Sequence, residues 1–334
     1  MNDMQQQRLR SRSRAVRLWW PASLAIGSLA AAMSWAQAPP AAAPAAAEDE
    51  LQEVMVTAPE ARYVAPTLRD RLGRIWAPVY LNGKGPFKLV LDTGASSSAI
   101  TAKVATDLGL PLIGGGSMLL HGVTGSAIVP FVTVDTFLVG DLEAHDRTLP
   151  IVPDALGGAD GVLGTEGLQD KRIFIDFMHD KITIMRSHGQ RAGFGYWTVP
   201  LVRTANGLLM TTAYVGDIRV KAIIDTGGQA TVGNPALLRA LRSRDLRQHL
   251  NNGSIIGATD DVQPGQDMTM PEVKLGPLTI QRSSMMVSDL RIFQLWKMTQ
   301  EPAILIGIDT LGLLDVLVID YKRMELQVQT RHNG

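Results

Sequence analysis

The sequence predicts an all-β protein made of two pseudo-symmetric lobes that face each other across a cleft, with a few short helices. Three observations predict it. Short alternating runs of apolar and polar residues, punctuated by Gly, Pro and Asn, recur from Trp76 onward. The tripeptide Asp-Thr-Gly occurs twice, at Asp92-Thr93-Gly94 and Asp225-Thr226-Gly227, each time after an apolar run: Phe87-Lys88-Leu89-Val90-Leu91 in the first case and Val220-Lys221-Ala222-Ile223-Ile224 in the second. The likeness extends in both directions. Val79-Tyr80-Leu81-Asn82-Gly83 parallels Ala213-Tyr214-Val215-Gly216-Asp217, Val162-Leu163-Gly164 parallels Leu305-Ile306-Gly307, and Ile173-Phe174-Ile175-Asp176-Phe177 parallels Leu317-Val318-Ile319-Asp320-Tyr321. A single Asp-Thr-Gly turns up by chance in roughly 5% of chains of this size; two copies with matched flanks mark an internal duplication. The later motifs lie about ten residues further apart than the aspartates, so the second copy carries an insertion, expected in a surface loop.

The elements follow in chain order. Residues 1–38 have the layout of a secretory signal peptide: Arg8, Arg10, Arg12, Arg14 and Arg17, then a mostly apolar stretch from Pro21 to Ala36, then small residues. The apolar stretch is short for a membrane span, and no Arg-Arg pair points to the twin-arginine route. Cleavage after Ala36 or Ala38, or retention of the leader as an anchor, are the open alternatives. Export to the periplasm is the expectation. Residues 39–67 begin as an Ala/Pro tether. Glu53-Val54-Met55-Val56-Thr57-Ala58 then resembles the TonB box of outer-membrane receptors, a strand that would add to the sheet edge of a TonB-like periplasmic partner; the other reading makes it an edge strand of the first lobe.

The first lobe is placed at residues 68–190. A helix is expected from Thr101 to Leu108, and the Gly-rich stretch Gly114–Ser126, with His121-Gly122-Val123-Thr124-Gly125 at its centre, sits where a mobile flap hairpin or a plain hairpin turn belongs. His179-Asp180 reads as a turn between strands. The second lobe is placed at 191–334. Asn206-Gly207 predicts a hairpin. Asn234-Pro235 opens a helix, cap then first position, expected to run to about Leu250 with Arg239, Arg242, Arg244 and Arg247 on a solvated face. The loop Gly257–Gln266 is the counterpart of the flap, and Ser288–Gln300 reads as a helix with Leu290, Phe293 and Trp296 on one side, packed in the core or lining the cleft.

The chain has no cysteine, so neither disulfides nor thiolate chemistry are available, and its absence leaves the compartment open. Removing residues 1–38 leaves 27 basic against 31 acidic residues, a net charge of −4, which argues against nucleic acid or an anionic membrane as partner. No His-Glu-x-x-His motif supplies zinc ligands, and no Gly-Lys-Ser/Thr loop cradles phosphate. Ser98 stands where a nucleophile elbow would close on glycine. No metal and no cofactor are expected.

Two aspartates at matching strand ends are a different case. A pseudo-two-fold axis brings them together, and carboxylates that close cannot both ionise, so one holds a proton while the other serves as base. With these residues the chain resembles the pepsin and retropepsin group of aspartic peptidases, in particular bacterial exported retropepsin-like proteins with both lobes in one chain. The likeness covers about residues 70–330 and rests on Asn82-Gly83-Lys84-Gly85-Pro86-Phe87 leading to Asp92-Thr93-Gly94-Ala95-Ser96, and on the two apolar-apolar-Gly pieces. It implies an acid-protease barrel fold, catalysis by Asp92 and Asp225, support from Thr93, Gly94, Thr226, Gly227, Gly164 and Gly307, a polypeptide substrate and a monomer. Ala95 and Gly228 stand where pepsin-like enzymes carry Ser or Thr, and Gln229 is unusual. Two functions remain open on the sequence: an endopeptidase, or a peptide-binding or adaptor module without turnover. Retention of both aspartates favours the enzyme.

Overall fold

The two strands that lead into the Asp-Thr-Gly loops read the same way in section. Lys84–Leu91 ends in Leu89-Val90-Leu91 and Ile218–Ile224 ends in Ala222-Ile223-Ile224, each three consecutive buried residues. Unbroken burial of this kind belongs to strands covered on both faces. Strands nearer the surface alternate: in Leu209–Val215 every second side chain is buried. In the computed structural model, which describes residues 63–66, 73–111, 116–154, 156–243, 251–257, 259, 261–281 and 284–330, these strands build two lobes on one plan. All described residues fall in one compact unit, Ala58–Gly334. The leader, the Ala/Pro tether and Glu53–Ala58 lie outside them.

In the first lobe, the short strand Gly161–Leu163 runs parallel to Lys84–Leu91 and antiparallel to Ala99–Thr101. In the second, Ala303–Ile306 runs parallel to Ile218–Ile224 and antiparallel to Val232-Gly233. Each Asp-Thr-Gly loop therefore crosses between two strands that share a common central neighbour. Among the described residues four short helices accompany the strands: α1 (Ala102–Leu108), α2 (Pro235–Ser243), α3 (Arg291–Leu295) and α4 (Ile308–Leu311). α1 follows the first loop as expected and ends at Gly109 with φ 76°.

The expected helix to Leu250 is described only to Ser243; Arg244 and Arg247 lie outside the described residues, and a strand begins at Asn251. Asn234 caps α2, its Oδ1 accepting from the Leu237 amide at 2.9 Å, while its Nδ2 donates to the carbonyls of Met298 and Glu301. The helix expected over Ser288–Gln300 shrinks to the five residues of α3. Leu290 is still extended, and Lys297 at φ 56° breaks the far end. Phe293 is fully buried there and Trp296 only partly.

A six-stranded antiparallel sheet joins the lobes. Lys171–Asp176 pairs with Val316–Asp320 at the centre, Lys181–Arg186 and Glu325–Gln329 flank them, and Tyr63–Pro66 and Trp197–Pro200 form the two edges. Tyr63–Pro66 falls within residues 39–67, the stretch read as tether and docking strand. Its counterpart Trp197–Pro200 explains it: the sheet repeats about the same pseudo-two-fold axis, and each lobe contributes one edge. Asp176 and Asp320, equivalent in the repeat, both close the following turn by accepting backbone amides, from Met178 and His179 and from Lys322 and Arg323. The His179-Asp180 turn is where it was expected, and so is the Asn206-Gly207 hairpin.

Candidate functional site

The strand ends fix where the two aspartates stand. The Asp92 amide donates to the Leu163 carbonyl at 2.9 Å and the Asp225 amide to the Ile306 carbonyl at 3.0 Å. Each aspartate is thereby held by the apolar-apolar-Gly piece of its own lobe. The threonines then cross between lobes. Thr93 Oγ1 donates to the Ile224 carbonyl (2.6 Å) and accepts from the Thr226 amide (3.1 Å); Thr226 Oγ1 donates to the Leu91 carbonyl (2.7 Å) and accepts from the Thr93 amide (3.1 Å). Both threonines are fully buried. This reciprocal set of four bonds locks the two loops face to face.

The lock brings the carboxyl groups of Asp92 and Asp225 into hydrogen-bond contact with each other. Gly94 and Gly227 permit it by close approach. A Cβ on Gly94 would stand 2.8 Å from the Asp225 carboxyl, and one on Gly227 would overlap that of Asp92. Gly164 and Gly307 serve the layer beneath, each pressed against the backbone of its loop at Ser97 and Ala230.

Burial raises the pKa of both aspartates, and the pair is not symmetric. For Asp92, burial and then the charge of Asp225 push the carboxyl well above the ordinary carboxylate range, opposed by the Gly94 amide at 2.7 Å. For Asp225, burial raises the value less far, because the Gly228 amide at 2.9 Å, the Asp92 hydroxyl and the Gly227 amide at 3.1 Å all favour the carboxylate, as does the positive charge of Arg74. Burial and the charge each carboxyl presents to the other thus favour a single proton shared by the pair, whose titration belongs to the two groups together.

Four supporting residues were missed in the sequence. Ser98 Oγ accepts from the Gly164 amide and Thr231 Oγ1 from the Gly307 amide, both at 3.1 Å. Glu166 accepts from the Ser98 amide at 3.0 Å and Asp309 from the Thr231 amide at 2.9 Å. Ser98 and Thr231 stand six residues after their aspartates in both repeats, so aligning the two halves position by position would have found them. The second loop is therefore built as the first is, and Gln229 is exposed rather than turned under the carboxylates.

Two hairpins, one from each lobe, meet at their tips. The first pairs Ser117–His121 with Ser126–Val139 and turns through Gly122–Gly125, closed by the Gly122 amide on the Gly125 carbonyl at 2.9 Å; His121 Nδ1 is hydrogen-bonded to Ser126 Oγ at 2.7 Å. The second pairs Asn251–Ile256 with Val262–Thr269, so half of the expected loop Gly257–Gln266, from Val262 on, is strand. Their tips touch: Gly122 lies against Thr259, Gly125 against Asp261, Gly257 against Thr124, and Gln263 Nε2 donates to the Thr124 carbonyl at 3.3 Å. The stretch read as a flap or a plain hairpin turn is a hairpin. A hollow of about 390 Å³ lies beside the second loop, lined by Ala230, Asn252, Asp267, Met286 and Asp309 among others, and the two aspartates are not in its wall.

Two β lobes, each presenting an Asp-Thr-Gly loop to a shared cleft, define an aspartic-peptidase-like fold. A family model described as aspartyl protease matches residues 77–166 and 211–310, once per lobe and over more than half of the chain; the chain belongs to that family. No curated protein matches it. Among solved structures it is similar to the crystal structure of Basic 7S globulin from soybean, with 13% identity and a TM-score of 0.44 over 82% of this chain and 95% of that one.

Proposed function

We propose that the chain is an aspartic endopeptidase whose water is activated by Asp92 and Asp225. The observation that carries the proposal is the contact between two buried carboxyl groups whose environments push their proton affinities apart. Asp225, the anion, takes a proton from a water held between the two groups. Asp92 donates its proton to the substrate carbonyl oxygen as the water oxygen attacks. The resulting tetrahedral diol then collapses: Asp225 gives the proton it took from water to the leaving nitrogen as the carbon–nitrogen bond breaks, one diol hydroxyl returns its proton to Asp92 as the carbonyl forms, and the pair is again singly protonated. The threonine lock holds both carboxyls through the cycle, and the flap hairpins exclude bulk water once a peptide is seated.

The substrate class is an extended polypeptide, because a cleft roofed by two hairpins offers main-chain partners on both sides. We place the activity in the periplasm after removal of residues 1–38, on the strength of the arginine-rich start and the apolar stretch that follows. Docking of Glu53–Ala58 to a TonB-like partner remains part of the proposal. The test is to incubate the chain lacking its leader with a denatured protein mixture and sequence the new termini. Internal cuts that persist with a chelator and vanish in Asp92→Asn support the peptidase. Peptide binding without any cut across the acid and neutral range would move the protein to the binding-module reading.

A further inference from the structure

The hollow beside the second loop has a wall that the dyad chemistry leaves unused. It encloses about 390 Å³, at the low end of the ~300–1,000 Å³ typical of small-ligand sites. Asn251, Ser254, Asp267, Ser284 and Asp309 line it together with Ala230, and no Lys, Arg or His stands in the wall among the described residues. Asp92 and Asp225 are not in it. The hollow meets the second loop at Ala230, further along the chain than Asp225, and runs from there beneath the base of the second hairpin.

Strand register sets which side chains enter it. Asp267 lies directly across from Asn251 on one side and Met286 on the other, so the three share one face of the sheet. Gly253 and Gly265 face each other in the same ladder, and the Met286 methyl lies over both, 2.8 Å and 3.0 Å from where their Cβ atoms would stand. Met286 in turn borders the apolar cluster of Ile223, two residues before Asp225, so this face looks toward the cleft. The two carboxylates differ. Asp309 is committed to the second loop, accepting from the Thr231 amide at 2.9 Å, the Thr231 hydroxyl at 2.7 Å and the Thr310 amide at 2.7 Å. Asp267 is half-buried, and its carboxylate has no hydrogen bond or ion pair among the described residues; the same holds for the side chains of Asn251 and Ser284. Two negative charges with no cation opposite them give the recess a negative potential.

We propose that this hollow receives a cationic side chain, Lys or Arg, of the bound polypeptide, with Asp267 as its ion-pair partner. This rests on the peptidase reading for what the polypeptide does in the cleft, but binding tests it independently of cleavage. The Asn251 carbonyl oxygen and the Ser284 hydroxyl accept the remaining N–H groups of the cation. Its aliphatic stem lies along Met286, whose flexible thioether adjusts to what it covers. Because the dyad is not in the wall, the cation belongs to a residue removed from the scissile bond rather than to either residue that flanks it. An acidic side chain at the same place meets Asp267 and Asp309 and is repelled.

The experiment uses the Asp92→Asn chain, which binds without cutting, and short synthetic peptides of one background sequence in which a single Lys is moved through each position in turn, each against its Gln and Glu versions. At one position Lys is expected to bind about tenfold more tightly than Gln, the size of one partly desolvated ion pair, with Glu weaker than both. The difference should shrink as salt is raised. In the same background Asp267→Asn should erase the preference and Asp267→Lys should turn it toward Glu; the two variants guard against one that folds poorly. Equal binding of Lys and Gln at every position, absence of binding included, or a Lys preference that survives in either folded variant, overturns the proposal even if the wild-type chain proves to be a peptidase. If the preference is present and follows residue 267 while the wild type cuts nothing, the cation site stands and the peptidase reading fails.

Discussion

Thr93 and Thr226 each use the side-chain hydroxyl to bond two backbone groups of the opposite lobe, so removing either hydroxyl strands both of them. Thr93→Val leaves the Thr226 amide and the Ile224 carbonyl buried without that partner. At roughly 1–3 kcal/mol per stranded group, the expected loss is about 2–6 kcal/mol by urea unfolding; a change under about 0.5 kcal/mol would mean the lock does not hold the loops. The dyad acts on stability in the opposite sense. Its aspartates have folded-state pKa values raised above the unfolded ones. Their contribution is fully present below the ordinary carboxylate pKa and is lost as pH rises through the folded values. Asp92→Asn is therefore expected to melt higher than wild type at neutral pH, with the difference closing as the pH falls to about 3. A difference that widens on acidification would reverse the assignment. The same burial, with Ala95 and Gly228 offering no hydroxyl to the carboxylates, places the activity optimum at mildly acidic to near-neutral pH. Ala95→Ser should move the acidic limb of the rate profile down, and an optimum well below pH 4 in the unmodified chain would contradict this.

At the scale of elements, the edge strand Tyr63–Pro66 separates two roles that the sequence left merged. It pairs with Lys181–Arg186 in full register. A chain starting at residue 61 should keep its melting temperature and any activity, whereas one starting at 68 should melt several degrees lower; equal melting of the two would remove the edge strand from the stability account. If loss of residues 37–60 leaves activity intact but ends association with a periplasmic partner, the docking role of Glu53–Ala58 is supported; joint loss of stability and activity would end it. The lobes, the Asp-Thr-Gly loops, the first hairpin and the cap at Asn234 were legible because each rests on a local pattern: an apolar run before Asp, a Gly-rich tip, an Asn-Pro start. Tyr63–Pro66 was not, since a strand whose partner is far along the chain carries no local mark, and only its likeness to Trp197–Pro200 reveals it. The ends of α3 were misread because periodic Leu290, Phe293 and Trp296 suggest more turns than the backbone makes, with Leu290 extended and Lys297 left-handed. The contact between flap tips depends on two hairpins from different lobes, which no local pattern encodes.

At the scale of the molecule, the lobes share a central sheet and the threonine lock, so they are expected to unfold together. Heating followed by near- and far-ultraviolet dichroism should give one coincident transition; two separated transitions would show lobes that are stable alone. With both loops on one chain, the site needs no second copy, and a monomer by sedimentation is the expected state. The central claim is that Asp92 and Asp225 act as one catalytic unit within a single chain. The most direct measurement is the rate of cleavage of one substrate by Asp92→Asn, by Asp225→Asn and by an equimolar mixture of the two. The account predicts a fall of about 10³-fold or more in each, and no recovery in the mixture. Near-normal turnover in either single variant would contradict it.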